Sequence, residues 1–207
     1  MTRPAATPWA HHSLIPLIVI DQAALMPSVA DALIEGGIPV CEIALRTPES
    51  LDAIRAVSDR PGFTVGAGTV LSIEQGKQAM DAGAVFGVSP VPDPTVMTWA
   101  LSAGWPFIPG AATPGEVWAV MAHGFDTVKI FPVAQLGGPS FLDALTSVFP
   151  DTQFLASGGI TAETAPEYIS RPSVTGVSGS WVAPRSTISQ QRVTDIRVAA
   201  ASWNEAQ

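Results

Sequence analysis

A chain of 207 residues, 47% apolar and 14% charged, has enough material for one full hydrophobic core and is not a disordered segment. A net charge of -8 without a cluster of basic residues argues against a nucleic-acid or anionic-membrane surface, and no uncharged apolar run approaches the ~18–20 residues of a membrane span. The single cysteine, Cys41, excludes an internal disulfide and fits a reducing, cytoplasmic compartment.

The chain reads as a single domain over 1–207. Met1 to Ala10 has no continuous apolar core, so it is expected as a loose tail, with residues 1–13 as a whole outside the regular structure. Apolar strands are predicted at Leu14–Ile20, Pro39–Leu45, Thr64–Val70, Val85–Pro90, Pro106–Gly110, Thr127–Pro132, Gln153–Gly159 and Thr175–Trp181. Each is followed by a helical stretch. The first runs from about Ala23 to Glu35, the second follows Pro48, and the third ends near Ala82. Strand starts recur every 20 to 26 residues or so.

Glycines at Gly36-Gly37, Gly83, Gly104 and Gly124 close four of the helices, where a left-handed C′ residue is wanted. Thr47-Pro48-Glu49, Ser72-Ile73-Glu74, Thr113-Pro114-Gly115-Glu116 and Thr161-Ala162-Glu163 read as helix starts. A last helix is expected over residues 190–202, with Val193, Ile196, Val198, Ala199 and Ala200 on its packed face. Eight β-then-α units predict a parallel (β/α)₈ barrel. The rival is an open doubly wound sheet, disfavoured by the even units and by the missing G-x-G-x-x-G after the first strand.

Lysine is scarce, with only Lys77 and Lys129 against eight arginines. Lys129 stands in the apolar strand Thr127–Pro132, where an ammonium is costly to bury. It either snorkels or pairs with a carboxylate, or it is an amine able to attack a carbonyl and form a Schiff base. Alternation turns Thr127, Lys129 and Phe131 to the barrel interior, and with them Glu42, Ala44 and Arg46 of the second strand. Three charged groups thus converge. They form either a structural ion network or a site in which Lys129 attacks a ketone, Glu42 carries protons and Arg46 grips a carboxylate.

Ser157-Gly158-Gly159-Ile160 and Ser178-Gly179-Ser180-Trp181 end strands seven and eight, the pair of loops where barrels often hold phosphate. Thr69, after Gly66-Ala67-Gly68, is a hydroxyl donor for a substrate carboxylate. Pro90, in Ser89-Pro90, and Pro109-Gly110 shape the strand ends; Pro90 and Phe131 count with the substrate-binding set. His11, His12 and His123 have no cysteine or carboxylate at ligand spacing, so they are expected to be structural or solvent-exposed and no metal site is expected; no cofactor is expected either. Lys77 is expected in solvent. Most tryptophans are expected in the core or at an interface, with Trp181 notable beside the proposed phosphate loop.

Together, Glu42-Ile43-Ala44-Leu45-Arg46-Thr47, Gly66-Ala67-Gly68-Thr69-Val70, Val88-Ser89-Pro90, Pro109-Gly110, Val128-Lys129-Ile130-Phe131-Pro132, Ser157-Gly158-Gly159-Ile160 and Gly179-Ser180-Trp181 resemble 2-keto-3-deoxy-6-phosphogluconate aldolase, a family that includes 4-hydroxy-2-oxoglutarate aldolase activity. The resemblance runs from about Leu14 to Pro184. It implies a metal-independent class I aldolase on a (β/α)₈ barrel, usually a homotrimer, releasing pyruvate and glyceraldehyde 3-phosphate in the Entner–Doudoroff route. It implies Lys129 as Schiff-base lysine and Glu42 as acid/base. Arg46 and Thr69 would hold the pyruvyl carboxylate, and Gly158, Gly159 and Ser180 the phosphate, with Ser157 and Gly179 beside them.

Two positions depart from the family pattern. Ser157 replaces the usual threonine and Ser178 a frequent glycine, changes expected to alter contacts near the distal end of the substrate. Arg46 favours the gluconate substrate over its galactonate epimer, whose enzyme tends to carry asparagine there. The alternatives are a same-family aldolase of 4-hydroxy-2-oxoglutarate or of the 6-phosphogalactonate epimer, a phosphosugar isomerase or synthase barrel, and a phosphometabolite-binding barrel without turnover.

Overall fold

The computed structural model describes residues 7–9 and 11–206. Its strands are β1 (Leu14–Ile18), β2 (Val40–Ala44), β3 (Thr64–Gly68), β4 (Gly87–Val88), β5 (Phe107–Ile108), β6 (Gly110–Ala111), β7 (Thr127–Ile130), β8 (Gln153–Ser157) and β9 (Val174–Gly179). Between and after them lie α1 (Met26–Glu35), α2 (Ser50–Arg55), α3 (Ile73–Asp81), α4 (Pro94–Ala103), α5 (Pro114–Ala122), α6 (Pro139–Val148), α7 (Ala165–Ile169), α8 (Arg185–Ser189) and α9 (Val193–Glu205).

The nine strands follow the order β5-β4-β3-β2-β1-β9-β8-β7-β6, and every pairing is parallel. The two ends of that order, β5 and β6, are consecutive pieces of chain divided at Pro109, whose nitrogen carries no hydrogen for a ladder. Counted as one strand, they make the nine eight and bring the sheet round to itself. Both neighbours hold the divided strand: Ser89 N–H donates to the Ile108 carbonyl at 3.0 Å and Lys129 N–H to the Pro109 carbonyl at 2.8 Å. The (β/α)₈ barrel expected from the repeat is the observed fold, and the doubly wound sheet is not. Gly110 is needed at the split, because a β-carbon there would lie 2.3 Å from the Pro90 carbonyl carbon.

The helices close the outer layer by burying one stripe each. On α1, Met26, Val29, Ala30 and Leu33 are buried, the i, i+3, i+4, i+7 spacing of one face. Glycines at the four predicted helix ends take positive φ: Gly37 (81°), Gly83 (97°), Gly104 (64°) and Gly124 (96°). Two of the expected starts are true caps. Ser72 accepts the Gln75 N–H, and Thr113 and Glu116 form a capping box.

The other two starts fall later than expected. Thr47 donates its hydroxyl to the Ile20 carbonyl at 2.6 Å, so α2 begins at Ser50. Thr161 is bonded to Thr164 in a local turn, so α7 begins at Ala165. The last helix also starts later than the expected residue 190, because Gln191 takes a left-handed φ of 56°. Its buried residues are Ile196, Ala200 and Trp203, while Val198 is 56% exposed. At 100° per residue Val198 falls opposite Ile196 and Ala200, which corrects its expected place on the packed face.

The expected tail is partly outside the described residues (1–6 and 10). The part described is not loose at Trp9, which is buried with its ring edge-on to Phe86 at 5.4 Å. Phe86 in turn lies over Gly66, where a β-carbon would stand 2.3 Å from its ring. A single indole can bury ~150–250 Å², enough to hold a short polar segment against the barrel floor.

Candidate active site

Glu42 and Lys129 both point into the barrel, as alternation requires, and are 0% and 4% exposed. Lys129 Nζ donates to Glu42 Oε1 at 3.0 Å across the interior. Their elements place them there. β2 is buried along its whole length and so is β7, which leaves a charged side chain no route to bulk water except through the barrel mouth. On the neighbouring strand β3 Gly68 leaves room for the carboxylate, for a β-carbon there would sit 2.7 Å from Glu42 Oε2. Breaking a buried ion pair by removing one partner typically costs about 3–5 kcal/mol, so neither group is dispensable to the other.

The glutamate is used asymmetrically. Oε1 also accepts a 2.6 Å hydrogen bond from the Ser178 hydroxyl. Oε2 is buried and accepts no hydrogen bond from the described residues. Buried carboxylate oxygens are normally satisfied, so an open acceptor beside an amine marks where chemistry can take place. Ser178, expected near the far end of a substrate, lies instead at the centre of the site. It faces inward on β9, and its Cα is in register with Ser157 on β8 and Ile15 on β1. Alternation along Val174–Gly179 is the sequence signal that points it inward.

Above this buried layer the polar groups become more exposed. Arg46, at the end of β2, is exposed and donates from Nε to Thr69 Oγ1 at 2.9 Å. Thr69 has a φ of 61°. A β-branched residue in the left-handed region stores roughly 1–3 kcal/mol, strain of the kind that gathers at functional sites. Arg46 and Thr69, predicted from separate strands, thus form one unit at the rim.

The two glycine-rich ends leave adjacent strands, since Ser157 pairs with Ser178. Gly158 and Gly159 both take positive φ, 96° and 75°. They also have structural work. A β-carbon on Gly158 would meet the Phe131 ring at 2.9 Å, and one on Gly159 would meet Ala134 Cβ at 2.7 Å. Phe131 therefore packs under this loop, half-buried. Ser157 is buried and inward, and Ser180 is exposed at the mouth.

Other candidates have packing roles. Gly179 carries the Trp181 ring, 2.0 Å from a would-be β-carbon, and Trp181 stacks edge-on to Trp203 of α9. Trp181 is thus part of the sheet–helix packing. Pro90 meets Gly110 through its backbone. His123 Nδ1 pairs with the Ala119 carbonyl at 2.8 Å, and Lys77 is exposed. Among the described residues, no group of three or more His, Cys, Asp or Glu side chains is placed to hold a metal ion, and no helix is long and apolar enough to cross a membrane. A groove of about 710 Å³ lined by Asp31, Arg55 and Arg60 lies on the helical surface, away from these residues.

A family model described as KDPG and KHG aldolase matches residues 9–199. A 2-dehydro-3-deoxy-phosphogluconate aldolase of Pseudomonas aeruginosa is 38% identical over 176 residues, which cover 84% of this chain and 80% of that one. The crystal structure of the Legionella pneumophila KDPG aldolase, with pyruvate captured as a covalent carbinolamine, superposes with a TM-score of 0.92 at 34% identity, covering 97% and 98% of the two chains. That of the Zymomonas mobilis aldolase with 3-phosphoglycerate gives 0.88 at 35% identity, covering 95% and 94%.

Proposed function

The chain belongs to the KDPG and KHG aldolase family, and from that premise we propose that it is a class I, metal-independent aldolase splitting 2-keto-3-deoxy-6-phosphogluconate into pyruvate and glyceraldehyde 3-phosphate. The observation that carries this reading is the buried pair: Lys129 Nζ stands 3.0 Å from Glu42 Oε1 while Oε2 remains open.

Lys129 passes a proton to Glu42, 3.0 Å away, and the freed amine attacks the C2 ketone. A C–N bond forms as the carbonyl π pair moves to oxygen, and Glu42 moves the protons that turn this into a carbinolamine. Loss of water leaves an iminium. Glu42 then takes the proton of the C4 hydroxyl, the C4–O bond becomes a carbonyl, and the C3–C4 pair flows into the iminium to give an enamine. The aldehyde leaves, Glu42 returns its proton to the enamine carbon, and water adds to the resulting iminium to free pyruvate and Lys129. Arg46 binds the carboxylate with its terminal nitrogens while Nε is held by Thr69. Gly158, Gly159 and Ser180 offer donors to the phosphate, with Ser157, Gly179, Phe131 and Pro90 shaping the mouth.

We assign the same protein to the cytoplasm and to a homotrimer. Val91, Leu101 and Trp118 are exposed apolar side chains on the β4–α4 segment, α4 and α5, 44%, 49% and 64% accessible, which supports a subunit contact there. Light scattering at micromolar protein tests it: a trimer mass is expected, and a monomer mass removes the assignment.

The function is tested by pyruvate release coupled to lactate dehydrogenase. The gluconate substrate is expected to show the highest kcat/KM. A higher value for 4-hydroxy-2-oxoglutarate or the galactonate epimer would reassign the substrate, and no pyruvate from any of them would point to a binding barrel.

A further inference from the structure

We propose that Ser178 is a positioning residue for Glu42: its hydroxyl fixes one carboxylate oxygen so that the other faces the reacting carbon, and it keeps that orientation while Lys129 is covalently occupied. This rests on the Schiff-base reading of Lys129.

Ser178 is 0% exposed. Its hydroxyl donates to Glu42 Oε1 at 2.6 Å, the length of a short, strong O–H···O bond to a carboxyl group. Lys129 donates to the same oxygen at 3.0 Å, and Oε2 receives nothing. Two donors on one oxygen fix the carboxylate and leave the lone pairs of the other free for proton transfer.

The two donors differ in permanence. Lys129 Nζ becomes the iminium nitrogen. It bonds to the substrate carbon, retains a single N–H, and is drawn toward the substrate. The Ser178 hydroxyl enters no bond-making step. In the iminium and enamine stages it is therefore the donor that still holds Oε1, and those are the stages in which Glu42 moves protons on carbon and at the C4 hydroxyl. Amine addition to the ketone takes place while both donors are in place and depends less on it.

The test separates the two halves of the cycle in the full chain. Ser178→Ala and Ser178→Gly are each incubated with pyruvate. One portion is reduced with borohydride and the Lys129 adduct quantified by mass. In another, exchange of the pyruvate methyl protons with deuterium is followed by NMR. The expected result is adduct formation within about twofold of the parent and exchange slower by about tenfold, the effect of losing one hydrogen bond to a charged group. The KM for pyruvate is expected to change little. Unchanged exchange in both variants overturns the proposal, as does an equal loss of exchange and adduct, which would mean general damage to the site. If the parent protein itself forms no adduct, the Schiff-base reading fails first, and the two failures are told apart.

Discussion

Gly68→Ala is a one-methyl change in the floor of the site. A β-carbon at this position lies 2.7 Å from Glu42 Oε2, 3.2 Å from its Cδ and 3.5 Å from its Cγ. Ordinary van der Waals contact begins near 3.4 Å, so Oε2 must retreat by about 0.7 Å, the difference between those two distances. A glutamate tip usually swings aside at little cost. This one is held through Oε1 by Ser178 at 2.6 Å and Lys129 at 3.0 Å, so the carboxylate must rotate about a fixed oxygen or lose a bond. Misplacing a reacting group by about 1 Å costs on the order of 10²-fold in rate, so a loss of kcat between about tenfold and a hundredfold is expected. Overpacking adds about 1–3 kcal/mol of destabilisation, or a fall of roughly 2–12 °C in melting temperature for a chain of this size. Coupled cleavage kinetics and a thermal melt are the assays. A variant with kcat within twofold of the parent would refute the reasoning, because Glu42 would then be free to move without consequence.

Lys129→Met removes the amine and leaves the Glu42 charge buried with Ser178 as its donor. It should abolish cleavage and lower stability by about 3–5 kcal/mol, and adding Glu42→Gln should recover much of that stability without any activity; equal urea midpoints for single and double variants would contradict a buried ion pair. Arg46→Ala removes the exposed guanidinium proposed to bind the substrate carboxylate and leaves the buried pair intact. KM should rise by about tenfold or more with a smaller change in kcat, and an unchanged KM would dismiss Arg46 from substrate binding. Cys41 is fully buried beside Glu42, and burial first, then that carboxylate, push its thiol well above the ordinary range. Since a raised pKa keeps the unreactive thiol form at mildly alkaline pH, Ellman's reagent should label the native protein very slowly and the guanidinium-unfolded protein at once; rapid labelling of the native state would show that β2 opens readily.

Much of this site is legible in the amino-acid sequence, because its signals are local. A lysine inside Thr127–Pro132 is expensive enough to need a reason, and period-two alternation puts Glu42 and Arg46 on one side of β2. The helix-ending glycines likewise follow from backbone sterics alone. What is not legible there is set by register across the ring. Alternation says that Ser178 faces inward, but only strand stagger brings it level with Glu42, 136 residues away. Pro109 reads as a strand end, yet its carbonyl and its neighbours stay in the ladder while its nitrogen cannot. Thr47 has the chemistry of a cap, but the Ile20 carbonyl claims its hydroxyl from another loop. Trp9 sits in a stretch too short to show a period, and its burial depends on Phe86, far along the chain.

In the proposed reaction Lys129 becomes covalently bonded to a keto-acid substrate. Incubation with pyruvate, reduction with borohydride, intact mass and a peptide map test it directly. The predicted result is one stable pyruvyl adduct per chain, mapped to Lys129 and absent in Lys129→Met. A folded protein that forms no adduct, or forms it at Lys77, would contradict the claim and return the buried Lys129–Glu42 pair to a structural role.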